Sequence, residues 1–235
     1  MTLEHTIYLV LAASISIPLG ALISSNITVR SYCLRNEIDS FVLYFGGGAL
    51  LAAISLSLLP RSFEYVSIRG AAFSFFLGGL VFWKLNSWLK SAGGKMSNLM
   101  GMMLDFVPES IILGATAAGN RSLAYLLAIL IVLQNLPEGF AAFTEMNNSK
   151  MKKSKIWLII FISPLLGPIA AFAGYLWLSN LTETIGVLIL FCSGGIIYLV
   201  FDDIAPQAQL ENKDFPAIGA VAGFLMGLIG TMMIH

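Results

Sequence analysis

The sequence is poor in charged residues, and this limits the class of protein it can encode. Only 11% of its 235 residues are charged, whereas a soluble domain of ordinary composition has about 25%. Basic and acidic residues balance at 13 each, so no overall positive field favours nucleic acid as a partner. The hydrophobic share of 57% instead predicts a membrane protein that is surrounded by lipid.

Cysteine and histidine are also scarce. The two cysteines, Cys33 and Cys192, lie far apart, and the two histidines, His5 and His235, lie near the two ends of the chain. This spacing gives neither a disulfide framework nor a CxxC zinc site. We expect the cysteines to be packing residues and the histidines to lie outside any site, and the sequence predicts no cofactor.

Apolar segments of spanning length fill the chain. A helix needs about 20 residues to cross roughly 30 Å of hydrocarbon, and eight segments reach that length. Alternating ten-residue patterns are missing, which argues against a transmembrane barrel. The sequence therefore predicts an all-α membrane protein with eight transmembrane helices in one polytopic domain, residues 1–235. The predicted spans are about 5–27, 40–60, 70–90, 99–118, 121–145, 156–178, 184–206 and 215–234.

The distribution of lysine and arginine predicts the orientation. Cytoplasmic loops carry an excess of these residues, and the loops after odd-numbered spans hold nine of them against three on the opposite side. Both termini are therefore expected outside the cytoplasm. The nine are Arg30, Arg35, Lys90, Lys95, Lys150, Lys152, Lys153, Lys155 and Lys213, and the three are Arg61, Arg69 and Arg121.

The fourth and fifth predicted spans contain acidic and amide side chains. Asp105 and Glu109 are four residues apart, as are Gln134 and Glu138, so each pair lies on one face of its helix. A carboxylate in hydrocarbon costs a few kcal/mol or more, so such residues usually face a partner, a cavity or an ion pathway. The clustering of three carboxylates favours a cation as the partner.

A proline precedes each of the two glutamates. Pro108 and Pro137 cannot donate to the carbonyl four residues back, which frees the carbonyls of Leu104 and Leu133. Asn135 adds an amide oxygen on a neighbouring helix face. The sequence thus predicts an oxygen-rich metal site between the fourth and fifth spans, formed by Asp105, Glu109, Gln134, Asn135 and Glu138. The alternative is a set of protonated carboxyl groups that hold the helices together by hydrogen bonds.

The end of the seventh span is also acidic. Asp202 and Asp203 are adjacent and precede Pro206, and they serve either as an exit path for a metal or as an interfacial cap. The segment containing them echoes the second span, since SGGIIYLVFDDIAP and GGGALLAAISLSLLP each place paired glycines about a dozen residues before a proline. Glycine pairs allow close helix contact in membranes, so packing alone explains such an echo.

These motifs resemble those of one family, the ZIP (Zrt/Irt-like) metal transporters. DFVPES and QNLPEG resemble the family patterns His-Asn-x-Pro-Glu-Gly and His-Glu-x-Pro-Glu of its fourth and fifth spans. The ending YLVFDDIAPQA is similar to the family's Tyr-x-x-x-Asp-Glu-x-x-Pro-Glu-Ala. GGALLAAISLSLLP and SPLLGPIAAFAGY are similar to its second and sixth spans. The resemblance covers roughly residues 46–230 and implies eight spans with outside termini.

The resemblance also implies roles for individual residues. Asp105 and Gln134 stand at histidine ligand positions, Glu109 and Glu138 at glutamate ligand positions, and Asn135 at the next ligand position. Three departures remove ligands of the family's second, adjacent metal position, so we expect one principal site. The departures are Phe106 in place of a polar residue, and Gly167 and Gln207 in place of glutamates.

The function expected is transport of divalent transition-metal cations through a multi-pass protein of the cell membrane. An all-oxygen site suits manganese, magnesium or calcium, whereas the resemblance favours zinc or iron, so zinc is placed first and manganese or iron next. The alternative is a proton-coupled transporter of a non-metal solute. Enzyme activity is not expected, because no nucleophile, phosphate loop or HExxH motif accompanies the acids. The sequence leaves open whether the protein works as a homodimer.

Overall fold

The computed structural model describes residues 1–27, 32–91, 96–207 and 214–234. Arg30, Lys95, Lys213 and His235 lie outside the described residues, as do the side chains of Cys33, Arg35, Asp203 and Gln207. Within these ranges the chain forms helices and no strand, which confirms the all-α expectation. Seven of the helices are long and apolar enough to cross a membrane, and the eighth carries a shorter apolar stretch, Ala217–Met233.

We label the helices α1 to α8 in chain order. Three of them are continuous α-helices: α3 (Ile68–Ser91), α4 (Ser97–Ala117) and α5 (Arg121–Asn148). Helix α8 (Asp214–Ile234) is likewise continuous. The remaining four change geometry along their length. These are α1 (Leu3–Ser14, then Ser16–Asn26), α2 (Tyr32–Ala52, Ala53–Leu58, Leu59–Ser62), α6 (Lys153–Ile162, Ser163–Leu165, Leu166–Trp177) and α7 (Thr182–Leu199, Val200–Ile204, Ala205–Gln207).

Proline accounts for the irregular helices. A proline has no N–H and its ring meets the carbonyl four residues earlier, which favours a wider or tighter turn before it. Pro60 and Pro206 each follow a stretch of π-helix, Ala53–Leu58 in α2 and Val200–Ile204 in α7. The echo between these two segments in the sequence therefore corresponds to the same local structure, an α-helix that widens into a π-helix before a proline.

Glycines bring the helices together in four close pairs. At Gly78 of α3, an added Cβ would collide with the carbonyl of Phe191 in α7, and at Gly194 of α7 it would collide with the carbonyl of Phe75 in α3. Such reciprocal contacts require that neither glycine carry a side chain. The same reciprocity joins the other pairs, through Gly20 and Gly139 (α1 with α5), Gly48 and Gly223 (α2 with α8), and Gly114 and Gly174 (α4 with α6).

The four pairs form two groups of helices. Helices α1, α4, α5 and α6 contact one another, and α2, α3, α7 and α8 do so separately, with α2, α7 and α8 packing on α4 and α5 between the groups. Helix α5 is the most enclosed, since 78% of its apolar window is buried, whereas only 17% of that of α3 is. Most side chains midway along α5 are therefore enclosed by protein, whereas most of the apolar window of α3 is not.

Gly78→Ala is expected to destabilise the fold, because its methyl group would press on the backbone of Phe191 and separate α3 from α7. Overpacking of this kind costs about 1–3 kcal/mol. Thermal unfolding of the detergent-solubilised protein measures the loss. Gly119→Ala is the matched control, because nothing lies within 4 Å of a Cβ at that position. Equal unfolding temperatures for the two variants would contradict the helix contact described here.

Candidate metal centre

The two predicted polar pairs lie inside the protein, on facing sides of α4 and α5. Asp105 is 2% exposed, Glu109 4% and Glu138 8%, and the amides of Gln134 and Asn135 are fully buried. Pro108 and Pro137 are accommodated within continuous helices. The ring of Pro137 faces Gly46 of α2, which brings the second group of helices against α5 at this level.

The pairs meet across the helices at two levels. At one level the Gln134 amide donates through Nε2 to Oε2 of Glu109. At the other, Asp105 and Glu138 line the same cavity and their carboxyl groups are close enough to interact. Four residues of helix separate the levels, a rise of about 6 Å. Two carboxyl groups in contact repel unless a proton or a cation lies between them, so the second level attracts positive charge.

Several oxygens at these levels have no hydrogen-bond partner among the described residues. They are Oε1 of Gln134, Oδ1 of Asn135 and Oε2 of Glu138, all buried. Each unmade hydrogen bond of a buried group costs about 1–3 kcal/mol, and buried polar atoms without partners are rare in native proteins. Carboxylate and amide oxygens are also the ligands that hard and borderline divalent cations accept. The donor set therefore fits a metal cation.

The carboxylates do not form a cage by themselves. Within the described ranges, no three His, Cys, Asp or Glu side chains are close enough to hold a metal. Glu109 and Glu138 take part in no ion pair with the described residues, and Lys84, a basic residue inside the predicted third span, is exposed on α3. A cation at this level would need amide oxygens in addition to the carboxylates.

Cavities lie at both ends of the same helix faces. A small one of about 40 Å³ extends from Asp105 and Glu138 to Ser97 and Asn98 at the start of α4. A larger one of about 300 Å³ lies at the opposite end, beside Arg61 and Thr116 among others. A water molecule needs roughly 10–15 Å³ of such space, so both cavities admit water or an ion. Ile112 of α4 and Leu127 and Ile131 of α5 are buried in the same apolar core.

Asp202 lies in a different environment from the α4 and α5 carboxylates. Its Oδ2 accepts hydrogen bonds from Nζ of Lys90 at 2.7 Å and from Nδ2 of Asn86 at 3.0 Å, both on α3. These contacts tie α7 to α3, which belong to the same group of helices. The two roles that the sequence left open for Asp202, an exit path and an interfacial cap, stay predictions.

Cys192 and Asn98 were not predicted to lie near the site. Cys192 is a buried free thiol on α7 and lies near Glu109 of α4. Asn98 lines the small cavity and stands seven residues before Asp105, on the same helix face. That spacing was the signal in the sequence for Asn98, whereas no sequence pattern relates Cys192 to α4.

A comparison with known families places these features in context. The model of the ZIP zinc transporter family matches residues 86–235, more than half of the chain. The matched region includes both Pro-Glu steps and the end of α7. No curated protein matches the chain. Because the family model covers α4 to α8, this chain belongs to the ZIP family of zinc transporters.

Proposed function

We propose that this protein moves divalent transition-metal cations across the cell membrane and into the cytoplasm. Zinc is the first candidate, and manganese or iron follows. Membership of the ZIP family supports metal-cation transport and a non-enzymatic, multi-pass membrane protein. The observation that carries the proposal is a set of buried α5 oxygens, those of Gln134, Asn135 and Glu138, that have no hydrogen-bond partner among the described residues and lie on the helix that meets Asp105 and Glu109 of α4.

The proposed ligands are Asp105, Glu109, Gln134, Asn135 and Glu138. Glu138 and Asp105 would hold the cation next to the small cavity. Glu109 and Gln134 would bind it at the other level, one helical turn further along α4 and α5. Rotation of the Gln134 amide would direct Oε1 to the cation and release Glu109. Asn135 is buried on the adjacent face, and its amide oxygen completes the set. All these donors are oxygens, which suits Mn²⁺ as well as Zn²⁺.

Alternating access supplies a mechanism for such a buried site. The two groups of helices contact each other along α2, α7 and α8 on one side and α4 and α5 on the other. Movement of the group that carries α4 and α5, as the family resemblance implies, would expose the carboxylates first to one cavity and then to the other. In the proposed orientation, with eight spans and both termini outside, the small cavity faces the cytoplasm. Assembly as a homodimer stays a prediction.

Glu109→Gln and Glu138→Gln are each expected to lower metal transport at least tenfold. Each change removes a negative charge from the cation and leaves the shape of the side chain, so the loss reports on charge rather than packing. The loss of transport is measured as uptake of Zn²⁺ into liposomes loaded with a metal-sensing dye. Glu183→Gln is the control, because that glutamate is exposed in the first turn of α7. Unchanged transport in both site variants would refute the assignment.

Zn²⁺ or Mn²⁺ is expected to raise the unfolding temperature of the purified protein. A ligand at about 100 times its dissociation constant stabilises the native state by about 2.7 kcal/mol. The alternative function, a proton-coupled carrier of a non-metal solute, predicts no such shift. It also predicts transport that follows the proton gradient in the absence of metal. Comparing the shifts given by Zn²⁺, Mn²⁺ and Fe²⁺ ranks the three cations.

Asp202→Asn is expected to reduce stability while leaving the KM for metal unchanged. The substitution weakens the hydrogen bonds from Lys90 and Asn86 that join α7 to α3. Thermal unfolding and the concentration dependence of uptake are measured on the same preparation. An increase in KM without loss of stability would instead assign Asp202 to the exit path. The same measurement on Asp203→Asn tests the exit-path role proposed for Asp203.

A further inference from the structure

Helix α4 is capped by a residue from the far end of α5. Met96, at the N-cap position, makes no side-chain hydrogen bond to the helix. Instead, Oε1 of Glu145 accepts from the Ser97 backbone N–H at 3.1 Å and from its hydroxyl at 2.7 Å, and Oε2 accepts from the Asn98 N–H at 2.8 Å. A carboxylate at a helix N-terminus satisfies amides that lack partners and opposes the positive end of the helix dipole.

This contact is in register with the candidate site. Asn98 stands seven residues before Asp105, and Glu145 stands seven residues after Glu138, which is two helical turns on each side. Moving a further turn inward on both helices leads from Asp105 and Glu138 to Glu109 and Gln134. The Glu145 contact and the two levels of the site are therefore successive contacts of one antiparallel helix pair.

The two helices are held at both ends. At the other end they are joined by the short connection 118–120, where Oδ1 of Asn120 accepts from the Leu123 N–H at 2.9 Å and caps α5. At the end near the small cavity no covalent connection exists, and Glu145 supplies the link. Ser97 and Asn98, which bind Glu145, line that cavity together with Asp105 and Glu138.

A small slip of α4 along α5 would disturb the proposed ligands. One residue of helix corresponds to a rise of about 1.5 Å, whereas binding groups must be held within about 0.5 Å of their productive geometry. Both oxygens of Glu145 are engaged by α4, so the residue acts on the site through the helix rather than as a ligand itself.

We propose that Glu145 is a positioning residue of the transport site: its link to the start of α4 keeps Asp105 opposite Glu138 and so sets the affinity for the metal. This inference rests on the proposed function. It differs from ordinary helix capping, because a cap supplied from within α4 would stabilise that helix without fixing it to α5.

The variant that tests the inference is Glu145→Gln. The amide keeps one acceptor oxygen for Ser97 but turns an NH₂ group toward the Asn98 N–H and removes the negative charge at the start of α4, so the link is weakened. We expect the KM for Zn²⁺ uptake to rise about tenfold with kcat within about twofold of wild type, and the Kd for Zn²⁺ of the purified protein to rise by the same factor. Glu183→Gln, an exposed glutamate at the start of α7, is expected to change neither constant.

A second variant separates the link from the cap. Met96→Asp in the Glu145→Gln background gives α4 an N-cap of its own, which is expected to restore the unfolding temperature but not the affinity for Zn²⁺. Recovery of wild-type affinity in this double variant, or an unchanged Kd in Glu145→Gln, would overturn the inference while leaving the proposed function intact. Wild-type protein that binds neither Zn²⁺ nor Mn²⁺ would overturn the proposed function and the inference together.

Discussion

The burial of carboxyl groups on α4 and α5 is the constraint on which the rest of the structure depends. Glu109 and Glu138 are almost fully enclosed, and they have no ion-pair partner among the described residues. A medium of low dielectric strengthens the repulsion between neighbouring carboxylates, so their charge must be met by protons or by a cation. Three buried oxygens of α5 have no hydrogen-bond donor among the described residues, which suits them to receiving a metal ion.

Close helix packing makes this environment possible. Reciprocal glycines let four helix pairs approach until backbone touches backbone, which places α5 at the centre and leaves α3 facing lipid. The division into two groups follows from the same contacts, because each glycine pair joins helices of one group. Among the described residues, the surface between the groups has no such reciprocal glycines. It contains the carboxylates, both cavities and the two π-helical segments of α2 and α7.

The sequence predicted much of the candidate site because helical periodicity acts over short distances. Spacing of four residues is enough to place Asp105 with Glu109 and Gln134 with Glu138 on single faces, and both pairs are buried. Which faces meet depends on how α4 and α5 pack, and spacing within one helix contains no information about that. For this reason the partners of Asp202 on α3, the proximity of Cys192 to Glu109, and the cap that Glu145 provides were not predicted.

The sequence by itself determined that lipid surrounds this protein and that its chain is helical. It also determined that the candidate site consists of carboxyl and amide groups. Hydrophobic content, the length of apolar segments and acids within them are local properties, and backbone hydrogen bonding in lipid leaves helices as the structure for such segments. The tertiary structure decided which oxygens face each other, where the cavities lie and which carboxylates are already bound to other groups. These depend on contacts such as Ser97 with Glu145, 48 residues apart, which form only when the helices pack.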